Sequence, residues 1–93
     1  MAEQKILTQH PSGKHGVNVD RETYELFKRA ILVALNDKEL THTELGDNLN
    51  RTLKRMFSGN IGWYAETMKL DLEARGIIER TKTKPQKYRL RSS

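Results

Sequence analysis

Between Asn60 and Leu90 the spacing of apolar residues changes period, and that change restricts the chain to a few architectures. Ile61, Tyr64, Ala65, Met68 and Leu72 recur at three- and four-residue steps, which places them on one stripe of a helix. Arg75 and Gly76 read as its stop. A cation complements the negative end of a helix, and glycine enters the left-handed conformation without a Cβ penalty. Beyond Gly76 the pattern is that of strands. Residues Ile77 to Thr81 are rich in β-branched side chains, and Lys87 to Leu90 alternate polar with apolar, as half-buried strands do. Lys82 to Gln86, with Pro85, supplies the turn between them. The expectation is a helix near 60–75 and strands near 77–82 and 86–91.

Two further helices precede this unit. Asp20 can accept the free amides of a first turn, with Val19 and Tyr24 placed as a hydrophobic staple. Tyr24, Phe27, Ile31, Ala34 and Leu35 form the stripe of a helix near 20–36, and its end, apolar on every side from Ile31 to Leu35, is expected deep in the core. Thr41-His42-Thr43-Glu44 is a capping box, with Leu40 and Leu45 as a second staple. Leu45, Leu49, Leu53, Met56 and Phe57 continue a helix near 42–57, and Ser58-Gly59-Asn60 ends it. Glu39 to Thr41 has the composition of a short strand. Residues 1–19 hold Pro11, Gly13 and Gly16 and read as an arm, with one short strand at Ile6–Leu7 and Val17 and Val19 anchoring its end.

The run Leu72-Glu73-Ala74-Arg75-Gly76-Ile77-Ile78-Glu79-Arg80, after an apolar helix and before a basic hairpin, resembles the end of the third helix and the wing of a winged helix-turn-helix domain. The whole chain also resembles a small family of uncharacterised bacterial proteins, which implies a fold and no activity. The resemblance implies an α+β fold: a three-helix winged helix-turn-helix with a C-terminal β-hairpin wing, an arm at 1–19, the domain at 20–91 and a tail at 92–93. In such domains the third helix commonly enters the DNA major groove while the wing meets phosphate.

Charge gives the partner expectation. Residues 1–79 hold eleven Lys or Arg and twelve Asp or Glu, whereas residues 80–93 hold six Lys or Arg and no acid. A clustered excess of this kind suits a polyanion. Lys82, Lys84, Lys87 and Arg89 on the wing, extended by Arg51, Lys54 and Arg55 on the second helix, are the candidate contacts to double-stranded DNA. The outer face of the third helix fits that role poorly. It shows Trp63, Glu66, Thr67, Leu70, Glu73 and Ala74, and Glu66, Asp71 and Glu73 outnumber Lys69 and Arg75. Trp63, Glu66, Thr67 and Leu70 are therefore the candidate protein interface, for another protein or a second copy. Trp63 is expected to be buried beside Leu70 under the arm, since covering a tryptophan recovers apolar surface from water.

Other chemistries find little support. Gly13-Lys14 lacks the paired glycines and following Ser or Thr of a phosphate-binding loop. His10, His15 and His42 have no metal-ligand spacing, and the absence of cysteine excludes thiolate sites and disulfides. No serine or histidine is arranged with a base, so neither an enzyme nor a small-molecule substrate is expected, and no cofactor. No apolar run approaches a membrane span and the N-terminus lacks the apolar core of a signal peptide, so the expectation is a soluble, cytoplasmic protein.

Overall fold

The computed structural model describes residues 4–14 and 16–91. The tail at 92–93, His15 and the first three residues of the arm lie outside the described residues. Along the chain come β1 (Lys5–Leu7), β2 (Asn18–Asp20), α1 (Arg21–Ala34), β3 (Leu40–Thr41), α2 (His42–Leu53), α3 (Ile61–Ala74), β4 (Ile78–Arg80) and β5 (Lys87–Leu90). The fold is α+β, with three helices and two small antiparallel sheets.

Each helix forms where its apolar stripe meets the other two. Tyr24, Phe27, Ile31 and Ala34 of α1, Leu45, Leu49 and Leu53 of α2, and Ile61, Ala65, Met68 and Leu72 of α3 make one continuous core. Phe27 sits at its centre, with the Phe57 ring at 5.1 Å edge-on and the Tyr64 ring at 5.5 Å. The capping box of α2 is complete: the Glu44 amide donates to Thr41 Oγ1 at 3.2 Å and the Thr41 amide to Glu44 Oε1 at 2.9 Å. Asn60 caps α3, its Oδ1 accepting the Trp63 amide at 3.0 Å. Gly76 ends α3 with φ of 75°. There the Gly76 amide donates to the Glu73 carbonyl and the Ile77 amide to that of Leu72, the paired bonds of a Schellman motif.

Three local expectations are corrected. Asp20 makes no side-chain cap; its carboxylate takes Lys5 Nζ at 3.1 Å, because strand pairing sets Lys5 opposite Asp20, and the Arg21 amide finds the Gln4 carbonyl instead. Val33 is exposed, so the end of α1 is buried on the side of Ile31, Ala34 and Leu35 and not all round. The second helix stops at Leu53 and not at Phe57, since the Met56 and Phe57 amides both turn onto the Leu53 carbonyl; Phe57 swings onto the core and Met56 is left in solvent.

The arm carries more structure than one strand. β1 and β2 pair with Ile6 opposite Val19, and both turn toward the core. Thr8 extends the pairing by accepting the Val17 amide on Oγ1 and donating its own amide to the Val17 carbonyl. Gly16 is required at this crossing, where an added Cβ would lie 1.7 Å from the Thr8 carbonyl oxygen. The second sheet has the order β3-β5-β4, with Leu40 opposite Tyr88 and Ile78 opposite Leu90. Tyr88 and Ile78 close the core from this side.

Candidate nucleic-acid interface

The β4–β5 hairpin holds its tip through threonines. Thr81 is buried, its amide donates to the Lys87 carbonyl, and its Oγ1 accepts the Lys87 amide at 2.9 Å. Thr83 Oγ1 lies 2.7 Å from that same hydroxyl and donates to the Pro85 carbonyl. Lys82 and Lys84 project into solvent from this framework, and neither has a carboxylate partner among the described residues.

Arg80 and Arg89 of the hairpin, by contrast, are paired with acids. Arg89 reaches Glu79 at 2.7 Å and Glu39 at 3.1 Å, contacts that hold its guanidinium pKa above the ordinary value, the Glu79 hydrogen bond first among them. Arg80 meets Glu73 at 2.9 Å and lies over the Tyr88 ring. Lys87 is half-buried near Glu44, whose carboxyl is held low mainly by the Thr41 backbone amide, with Lys87 contributing. Arg51, Lys54 and Arg55 are exposed, at and just beyond the far end of α2. Thr41 pairs with Lys87 at the start of α2, and the helix then carries the chain about 18 Å away before Arg55.

The candidate residues of α3 fall into two groups. Glu66 turns toward the sheet, 3.1 Å from Lys69 Nζ and 3.6 Å from His42 Nδ1. Lys69 is only 3% exposed; it also contacts His42 Nδ1 and lies 4.7 Å from the Tyr88 ring centre, and burial lowers its pKa. Thr67 and Leu70 instead line a groove of about 190 Å³ against the arm, together with Thr8, Gln9, His10, Gly16, Val17 and Trp63. Trp63 is 47% exposed, which corrects the expectation that the arm buries it. The cause is where the arm is fastened. The Gln9 amide donates to Asp71 Oδ1 at 2.8 Å, and Asp71 is about 12 Å farther along α3 than Trp63.

Asp71 was the feature least visible in the sequence. It is fully buried and accepts the Tyr24 hydroxyl at 2.6 Å, the Gln9 amide and Arg75 Nε at 3.0 Å, so it joins α1, the arm and α3. The excess of acid on α3 is thereby compensated: Asp71 is paired with Arg75, Glu73 with Arg80 and Glu66 with Lys69. Among the described residues no group of three or more His, Asp or Glu is arranged to hold a metal ion, and no helix is long and apolar enough to cross a membrane.

Burial and the Asp71 hydrogen bond raise the Tyr24 pKa well above the ordinary tyrosine value, and burial raises that of Tyr88. Both groups keep their protons in the folded state when the unfolded chain loses them, so their contribution is complete below about pH 10 and is lost as pH rises beyond it. Lys69 acts in the opposite sense, since the cost of burying its cation is relieved as pH climbs toward about 10.4. Urea unfolding from pH 8 to 11 is expected to show stability falling above about pH 10. Tyr24→Phe should flatten that fall, and equal slopes in the two proteins would contradict it.

A family model described as a family of unknown function (DUF6958) matches residues 5–88. The chain belongs to this family. The DUF6958 match runs from β1 to Tyr88 of β5, so the arm hairpin and the tip of the C-terminal hairpin with Lys82 and Lys84 are inside it. A search of curated proteins gave no match, and neither did a search of solved structures.

Proposed function

We propose that the chain is a winged helix-turn-helix domain that binds nucleic acid weakly through its wing, as a binding module and not an enzyme. The element order supports the winged-helix reading: one helix, a short strand, two helices and a hairpin whose second strand lies between the short strand and its own partner. The observation that carries the function is the wing tip, where Lys82 and Lys84 stand exposed without carboxylate partners among the described residues while Arg80 and Arg89 are occupied.

This narrows the expected electrostatics. Releasing counterions from about two phosphates gives a slope of log K against log salt near −2 for duplex DNA, and not the steeper slope of a six-cation contact. Duplex titrations between roughly 50 and 200 mM salt measure it. Replacing both Lys82 and Lys84 with glutamine should abolish binding, while Arg89→Gln should have a smaller effect. No binding at high micromolar protein and low salt would reject the reading. The rival reading, a protein-interaction or self-association module around Trp63 and Leu70, draws on the exposure of Trp63. It requires association that depends on protein concentration alone.

A further inference from the structure

The end of the domain where α3 begins has a composition of its own. From Asn48 to Ala65 the chain contains no acid and three cations, Arg51, Lys54 and Arg55, all exposed and without a carboxylate partner among the described residues. Within this stretch two large apolar side chains, Met56 and Trp63, face solvent. The Trp63 ring rests edge-on against Tyr64 at 4.9 Å, and Tyr64 is itself met edge-on by Phe57 at 5.0 Å. Arg55 and Met56 immediately precede Phe57, so the Arg55 Cα lies within about 8 Å of the Phe57 Cα, on the α2–α3 turn that leads to Trp63. The next acid along α3, Glu66, is held by Lys69 and faces His42.

A half-exposed indole braced from behind by an edge-on ring is a rigid stacking platform, and unpaired partners for it must tolerate adjacent cations. A neutral apolar peptide would gain nothing from Arg51, Lys54 and Arg55, whereas a single strand of nucleic acid offers both a flat base and a phosphate. We propose that Trp63, with Lys54 and Arg55, binds single-stranded nucleic acid, the indole stacking on an unpaired base and the two cations meeting the flanking phosphates. The groove beside Trp63 places Thr67, Gln9 and His10 where the edge of that base would lie. This surface is separate from the wing and does not depend on the wing reading.

Trp63 is the protein's single tryptophan, so its fluorescence reports the contact directly. The full chain is titrated at low salt with oligothymidine and, in a second arm, oligouridine, each of about ten nucleotides, a length suited to one small single-strand site. Saturable quenching that salt reverses is expected, and the tighter arm names DNA or RNA as the source. By anisotropy of labelled oligonucleotide, Trp63→Ala should lose roughly tenfold in affinity, Trp63→Phe less, and the Lys54→Gln, Arg55→Gln pair should weaken binding and its salt dependence. The Lys82→Gln, Lys84→Gln protein should lose duplex binding and keep the quenching, so failure of the wing and failure of this site are told apart. Unquenched emission in both arms, or unchanged affinity in Trp63→Ala, would overturn the proposal. A blue shift with rising protein concentration, accompanied by a sedimenting dimer, would also overturn it and assign the surface to a second copy.

Discussion

Asp71→Asn is expected to lower stability by about 3 kcal/mol, toward the bottom of the range for breaking a buried charge pair because Arg75 keeps partial access to water. The substitution changes little in volume, so no cavity contributes. The loss comes from hydrogen bonds and charge. All three partners of Asp71 are donors: the Tyr24 hydroxyl, the Gln9 amide and Arg75 Nε. An asparagine amide group would turn its own N–H toward at least one of them, and a buried donor without an acceptor costs about 1–3 kcal/mol. In urea the midpoint should fall by roughly 2 M if the slope is about 1.5 kcal/mol/M. Hydrogen exchange should separate the local effect from the global one, since the Gln9 amide should lose protection even where α2 amides retain theirs. A loss below about 1 kcal/mol would mean that Asp71 does not hold these elements together.

Phe27→Ala should cost about 4 kcal/mol, through lost burial and the cavity left among rings that cannot collapse into it. Phe27 is fully buried and touches the Phe57 and Tyr64 rings, so its removal undercuts the support of the α2–α3 turn as well as the core. Domains of this size hold on the order of 5–10 kcal/mol in total, so the variant should keep only about 1–6 kcal/mol. Phe27→Leu keeps most of the volume and should cost less than about 2 kcal/mol. Calorimetry on the two variants tests this, and comparable melting temperatures for Ala and Leu would contradict a packed centre at Phe27.

The helices and the C-terminal hairpin are legible in the sequence because their signals are local. Thr41 and Glu44 satisfy each other across three residues, Gly76 takes the one backbone conformation that its neighbours avoid, and the apolar stripes of all three helices are the buried ones. What escaped depends on partners distant along the chain. The alternation Val17-Asn18-Val19-Asp20 is too short to declare a strand, and Asn18 to Asp20 becomes β2 by pairing with β1. Lys69 lies off the core stripe of α3 and is buried because α2 and the sheet close over it.

Charge shows the same division at the candidate site. Counting along the sequence made the hairpin uniformly basic and α3 acidic, yet folding delivers Glu73, Glu79 and Glu39 to Arg80 and Arg89. Lys82 and Lys84, at the hairpin tip, retain the character that the linear count assigns to the whole hairpin. Trp63 was misplaced for a related reason. The apolar residues of the arm predict its burial, but the arm is positioned by a hydrogen bond to Asp71, a contact that composition does not reveal.

The bond between Gln9 and Asp71 spans 62 residues. On a ribosome adding about 5–20 residues per second, Gln9 is made roughly 3–12 s before its acceptor exists. Helix formation needs less than about a microsecond, so α1 can form and fray many times while the Tyr24 hydroxyl and the arm wait for α3. The arm is thus made well before the residue that fastens it, and the bond that secures Gln9 forms only when α3 is in place.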